Sequence, residues 1–464
     1  MRITIGLLAA AAAATLGSQA AAQSGAPHEA QARAMLEKVT SFRSAEGQKQ
    51  VPAMAAYLAE TLRAGGVAAE DIVMLPLADT TGMLVRIAGR DAKAGPILFS
   101  AHMDVVDARP EDWTRDPFKL VEEDGYFFGR GVLDNKTGVV SLVSTILRLK
   151  KEGKRPARTL VFAFVGDEET TFGTTKLIAA HPWVKNTEYA INSDAGDGLL
   201  GPDGRPMIYL VQGAEKTYAT FDVTATNAGG HSSRPRTDNA IYDLAKAVTK
   251  VGEYRFPVMA SQLTRDYLDA VGKVTPGETG ATLRRFAANP QDEAAANALF
   301  TDPSFVGTTR TTCVATMLDA GHAENALPQK ANAKVNCRIF PGVEVEDVRK
   351  ELERVIGAPA ITVKTTGDPL QSPVSEPRKD VMDVIARDIH RRHPGIPVAP
   401  YLESGGTDGV IYRRAGIPTW ASSGVFIKPD EMFAHGLNER IPVKSFYDAV
   451  DHIYRLAVDL GGAK

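Results

Sequence analysis

Six consecutive apolar residues, Leu160 to Val165, run directly into Gly166-Asp167-Glu168-Glu169. An apolar run of that length between turn residues reads as a buried strand. Three carboxylates therefore begin where a core strand ends, and buried charge is costly unless a cation compensates it. The pattern recurs along the chain. Residues 97–101 lead into His102-Met103-Asp104, and residues 189–192 into Ser193-Asp194. The glycine-rich stretch Gly129-Arg130-Gly131-Val132-Leu133-Asp134 precedes a helical pattern over 136–151, and Phe433-Ala434-His435-Gly436 adds a late loop histidine. Strands alternating with helices predict an α/β domain with a mainly parallel sheet. Such sheets gather sites beyond the carboxyl ends of their strands, so these groups have a common place to meet.

Imidazoles mixed with carboxylates suit zinc, with cobalt or manganese as substitutes. Two ions about 3.5–4 Å apart need a carboxylate that gives one oxygen to each. Asp134 is the natural bridge, because its glycine-rich turn permits close approach. His102 and Asp194 would complete one site, Glu169 and His435 the other. Asp104, two residues beyond His102, is expected to orient that imidazole. Glu168 stays free beside Glu169 to deprotonate an attacking water and hand the proton to a leaving nitrogen. The histidines at 28, 181, 322, 390, 393 and 452 have no such context and read as structural.

After Lys216 the pattern changes. Residues 218–226 alternate as a half-exposed strand does, 238–251 form an amphipathic helix, and 263–300 are helical and polar. Strands at 310–318, 334–340 and 360–365 and a helix at 345–355 complete a separate α+β unit. From Asp380 the α/β pattern returns. The expected organisation is a signal peptide over 1–22, a catalytic domain over 23–215 and 368–464, and an inserted lid over 216–367. The signal reading rests on Arg2, the apolar run 3–17 and the small residues Ala20-Ala21-Ala22 before Gln23. It implies a secreted protein, periplasmic in a bacterium, with no membrane anchor after cleavage. A net charge of −3, from 53 basic and 56 acidic residues, offers nothing to a nucleic acid. The basic cluster from Arg148 to Arg158 suits a solvated helix end.

These motifs, in this order, resemble the zinc metallopeptidases that include aminoacylases, glutamate carboxypeptidase, carnosine-type dipeptidases and succinyl-diaminopimelate desuccinylase. The resemblance covers about Ala30 to Leu460. It implies a catalytic α/β domain interrupted by a smaller lid that often dimerises, with two Zn2+ per subunit and a small peptide or N-acyl amino acid as substrate. Gly229-Gly230-His231-Ser232 resembles the segment whose histidine polarises the scissile carbonyl, often from a partner subunit; His231 would be an oxyanion donor. Asn325-Ala326-Leu327-Pro328 and Asn336-Cys337-Arg338 resemble the substrate-carboxylate elements, Arg338 offering a bidentate fork. Ser404-Gly405-Gly406-Thr407-Asp408 resembles the loop that lines the pocket, with Gly406 and Thr407 against substrate. Two features depart from the shorter members. Asp194 stands where the glutamate-carboxypeptidase and desuccinylase branches usually carry Glu, and 254–309 is long. Asp is usual there in the dipeptidase branch and in the larger secreted carboxypeptidase and N-acyl-amino-acid hydrolase branch, and the long segment also resembles the latter. The contrasting class is a silent binding protein on the same fold, which would be expected to lose the base or a ligand.

Two cysteines remain. If the strands holding Cys313 and Cys337 form a hairpin turned near Asn325, the two lie opposite each other, within reach of a disulfide. Export would favour the bond. Two small apolar residues packed side by side satisfy the same pattern, and the sequence leaves both open.

Overall fold

The computed structural model describes residues 27–464. The expected signal peptide, 1–22, lies outside them. No helix among the described residues is long and apolar enough to cross a membrane.

Ten strands make the main sheet. Its centre is parallel: Leu160–Val165, Ile97–His102, Tyr189–Asn192 and Thr419–Ala421 lie side by side in that order. Ile72–Leu77 and Thr80–Ile87 extend one side antiparallel. Pro206–Glu215, with Val398–Glu403 parallel to it, extends the other. The sheet is mixed and mostly parallel, as the strand–helix alternation predicts. Both faces of its centre are covered, so these strands are apolar throughout. Phe99 and Phe162 enter a core closed by helices Pro27–Thr40, Val51–Ala64, Lys136–Lys151, Lys379–Arg392 and Val443–Gly461. Leu98 and Val161, one residue along, enter the opposite core beneath Gly173–Ala180 and Gly409–Arg414.

The lid sheet has four antiparallel strands in the order Thr312–Ala320, Lys330–Ile339, Thr217–Thr226 and Ile361–Thr366. Its strands alternate because one face packs on helices Ala240–Glu253 and Val345–Ile356 while the other meets solvent. The polar stretch 263–300 divides into Gln262–Val274, Gly277–Ala288 and Glu293–Thr301, broken at Pro276 and after Asn289-Pro290. These three helices differ from the expected lid in where they pack. Leu268, Leu283, Phe286 and Leu299 join Ile208, Leu210 and Ala399 of the main sheet. Among the described residues Val398–Glu403 pairs only with Pro206–Glu215, so it is an edge strand there. A sheet edge left bare invites pairing with another chain, and the inserted helices cover this one.

Cys313 and Cys337 are directly paired across the lid sheet and joined by a disulfide, with Cα atoms 4.1 Å apart. A bulge at Thr316 shifts the register by one residue beyond them.

Candidate active site

The carboxyl ends of adjacent parallel strands carry the cluster that the sequence predicts. His102 is the last residue of Ile97–His102, Glu168 and Glu169 follow Leu160–Val165, and Asp194 follows Tyr189–Asn192. Asp134 reaches in from the turn before Lys136–Lys151, and its peptide bond to Asn135 is cis. His102 Nε2 lies 2.8 Å from Asp134 Oδ1, and His435 Nε2 lies 3.1 Å from Asp134 Oδ2. One carboxylate thus presents a different oxygen to each imidazole. Asp194 Oδ1 is 3.4 Å from His102 Nε2, and Glu169 Oε1 is 2.9 Å from His435 Nε2. His102, Asp134 and Glu169 bring ligand atoms within 4.8 Å of one another, as do His102, Glu168 and Asp194.

No Lys or Arg forms an ion pair with Asp134, Glu168, Glu169 or Asp194 among the described residues. Burial pushes the Glu168 carboxyl well above the ordinary carboxylate range and Asp194 up to about 7. Burial works against the charge of His102, but Asp194, Asp104 and Asp134 outweigh it and raise its pKa. Hydrogen bonds donated to Asp134 and Glu169 raise His435 to about 10. Asp134 runs the other way: the two histidines overcome its burial and hold it far below the usual range. Four carboxylates around two imidazoles form a donor set in negative excess, which fits divalent cations.

Asp104 differs in detail from expectation. Its backbone carbonyl receives the His102 Nδ1 proton at 3.0 Å, while its carboxylate lies 3.5 Å from that nitrogen. With Nδ1 bound to that carbonyl, Nε2 is the ring nitrogen turned to Asp134. The Asp104 carboxylate instead accepts the amides of Glu168 and Glu169, at 3.1 and 3.0 Å. It therefore fixes the acidic turn.

Arg338 and Gly406 line a cavity of 610 Å3 with Glu168 and Glu169. Gly406 and Thr407 also line a cavity of 310 Å3 with Asp134, Asp194 and His435. Thr407 turns its hydroxyl and its amide to Glu215, at 3.0 and 2.9 Å. The chain does not bring His231 or Asn325 to the cluster. Both are exposed and line neither cavity. They do adjoin each other: Gly230–His231 pairs with Ala326–Leu327, and Ser232 N donates to Asn325 O at 2.9 Å.

Sequence reasoning missed what holds the ligand loops. Glu439 is fully buried. Its Oε2 accepts Arg130 Nη1 and Gly131 N, and its Oε1 accepts Leu133 N and Asp134 N, at 2.8–3.0 Å. Arg130 Nη2 in turn donates to the carbonyls of His435 and Gly436 at 3.3 and 3.2 Å. This buried pair ties the Asp134 loop to the His435 loop. Arg130 inside a Gly-x-Gly turn was the available signal; Glu439, in a polar loop, gave none.

The sequence profile of Peptidase family M20/M25/M40 matches residues 98–459. The chain is 31% identical over 372 residues to the N-fatty-acyl-amino acid synthase/hydrolase PM20D1 of Xenopus tropicalis, covering 77% of this chain and 71% of that protein. It is 29% identical over 380 residues to the probable carboxypeptidase S-like 2 of Dictyostelium discoideum, covering 79% and 72%. The structure of the M20 family metallo-carboxypeptidase Sso-CP2 from Sulfolobus solfataricus matches with a TM-score of 0.68 at 19% identity, covering 93% of this chain and 99% of that one. The chain belongs to peptidase family M20/M25/M40, metal-dependent hydrolases of peptide and amide bonds.

Proposed function

We propose that the protein is an exported dinuclear zinc hydrolase that cleaves an amide or peptide bond beside a free α-carboxylate. One observation carries the reading: Asp134 offers one oxygen to the His102 side and the other to the His435 side, with Glu168 alongside. His102 and Asp194 would hold one ion, Glu169 and His435 the second, and Asp134 both. Bound there, two zinc ions supply Lewis-acid activation of water and of the scissile carbonyl.

The chain's own residues do the rest. Glu168, standing beside the cluster as a carboxylate, would take a proton from the attacking water and pass it to the departing nitrogen. Asp104 holds the backbone on which Glu168 and Glu169 stand. Arg338 receives the substrate carboxylate in the larger cavity, and the Gly406 turn bounds the path between the two cavities. The names of the two relatives, a carboxypeptidase-like protein and an N-fatty-acyl-amino acid hydrolase, support a substrate with a carboxylate beside the scissile bond.

His231 and Asn325 enter this reading through a second copy. The lid's outer strand, Thr312–Ala320, exposes Val314, Met317 and Leu318 to 59, 67 and 63%, with Ile241 and Tyr242 exposed on the nearby helix. An unpaired apolar edge of that kind suits strand-to-strand association. A homodimer through it would leave His231 available to a neighbour's cluster as an oxyanion donor.

The test is a panel of dipeptides and N-acyl amino acids, each as free acid and as C-terminal amide, read by amine release on zinc-loaded enzyme with elemental analysis. Two zinc ions per chain and a preference for free acids of at least tenfold are expected. One ion, or equal rates on acid and amide, overturns the reading.

A further inference from the structure

Lys216 is the first residue after the catalytic strand Pro206–Glu215 and the last before the lid strand Thr217–Thr226. It is 2% exposed, yet it lines the 610 Å3 cavity with Arg338, Glu168 and Gly406. Its Nζ donates to Arg310 O at 2.8 Å and to Thr312 Oγ1 at 3.4 Å, both neutral acceptors. No carboxylate pairs with it among the described residues. The nearest acid in sequence, Glu215, is committed elsewhere, to Arg413 at 2.5 Å and to Ser372 and Thr407. The Arg310 guanidinium points away, onto Phe256 O and Ala296 O.

A buried ammonium with only neutral partners lacks compensation for its charge. Its neighbourhood adds a second cation. Thr312, which touches Lys216, is paired across the sheet with Arg338. Arg338 stacks over Tyr218 and donates to Ser404 O at 3.2 Å. Lys216 N donates to Glu403 O, one residue before Ser404. A Cβ placed on Gly307 would lie 2.8 Å from Ser404 Oγ and 3.9 Å from Lys216 Nζ, so Gly307 keeps this corner closely packed. Two cations thus flank one end of the turn whose Gly406 lines both cavities.

We propose that Lys216 binds the substrate's carboxylate together with Arg338, so that the anionic end of the substrate sits between an ammonium and a guanidinium against the Ser404–Gly406 turn. This rests on the reading that the substrate carries a free carboxylate. An anion there meets the charge that the fold leaves unpaired. Burial, reinforced by Arg338, lowers the Lys216 ammonium to about 7, so carboxylate binding above that pH draws a proton onto Nζ. Arg338 is the charged group that acts on Nζ; Glu168, Glu169, Lys176 and Asp368 line the same cavity, and Glu215 behind it is neutralised by Arg413.

The experiment uses the zinc-loaded full chain. Lys216→Met should raise KM at least tenfold for the best free-acid substrate while kcat falls less than threefold, and should shrink the acid-over-amide preference by the same factor. Lys216→Arg should restore part of it. Calorimetry of the wild type with isocaproate, a carboxylate without an amine, should show buffer-dependent heat from proton uptake at pH 8 and little at pH 6, whether or not the Met variant folds. An unchanged acid-over-amide ratio in Lys216→Met, or no uptake at pH 8, overturns the inference. Equal wild-type rates on acid and amide instead overturn the carboxylate reading beneath it.

Discussion

Replacing Glu439 with glutamine alters one atom of a fully buried side chain and disturbs the mooring of two ligand loops. The carboxylate now accepts four hydrogen bonds, two on each oxygen. An amide has one oxygen and one NH2. If the oxygen stays with Arg130 and Gly131, the NH2 faces the amides of Leu133 and Asp134. If it flips, the NH2 faces a guanidinium and the Gly131 amide. Either way two buried donors lose their acceptor, at about 1–3 kcal/mol each. Arg130, 3% exposed, also loses its counter-charge. Breaking a buried pair costs about 3–5 kcal/mol. The two routes describe one loss, so about 3–5 kcal/mol of stability is the expectation. Partners that orient ligands are worth about 10–100-fold in metal affinity. Thermal unfolding in chelator and a zinc competition titration measure the two effects separately. Lower stability with native zinc affinity would mean that the pair supports the fold without positioning Asp134 and His435. No change in either would refute the mooring.

Glu168→Gln should keep both metals and lose most turnover, whereas Glu169→Gln and His435→Ala should lower zinc stoichiometry or affinity; metal loss in the Glu168 variant would exchange the roles of the two glutamates. Converting Cys313 and Cys337 to alanine should cost about 3.5 kcal/mol by loop-closure entropy for a sequence separation of 24, read by denaturant unfolding, and two free thiols in the denatured, unreduced protein would refute the bridge. Asp substitutions at Met317 and Leu318 should give monomers by sedimentation and reduce turnover through the lost His231 neighbour; full activity in a monomer would remove His231 from the reaction.

Much of the catalytic half was legible because it is written in short segments. An acidic or imidazole residue directly after an apolar run marks the end of a buried strand, and adjacent parallel strands bring such ends together without any long-range inference. His102, Glu169 and Asp194 needed only that rule. The supports were illegible for the opposite reason. Glu439 and Arg130 are more than 300 positions apart in sequence, and neither lies in a periodic element that would mark it as buried. His452 illustrates the same limit. It bonds Ser422 Oγ at 2.8 Å and Asp388 Oδ2 at 2.7 Å, an arrangement like a nucleophile–base–acid chain. All three side chains are buried and line neither cavity of the site, so the histidine is structural, as its sequence context suggested. The helices of 262–301 were visible as helices, but their placement was not. An amphipathic face does not name the core it joins; here the faces pack on Ile208, Leu210 and Ala399, beside the edge strand Val398–Glu403.

The way the two halves meet explains how the proposed recognition and chemistry divide. The ligand cluster stands on the main sheet, while Arg338 stands on the lid, next to Cys337 and its bridge to the outer strand. Alternation along Lys330–Ile339 puts Cys337 into the lid core and Arg338 on the other face. The chain crosses between the halves at Glu215-Lys216-Thr217. Glu215, pinned by Arg413, Ser372 and Thr407, makes the catalytic side of that crossing rigid and fixes the Thr407 turn with it. Ser372 N also reaches Thr217 Oγ1 at 3.3 Å, on the lid side. On the proposed reading, this pinned crossing holds the spacing between the Arg338 corner and the acidic cluster. The substrate expected on that reading has its scissile bond close to its carboxylate, as an exopeptidase or an N-acyl-amino-acid hydrolase requires.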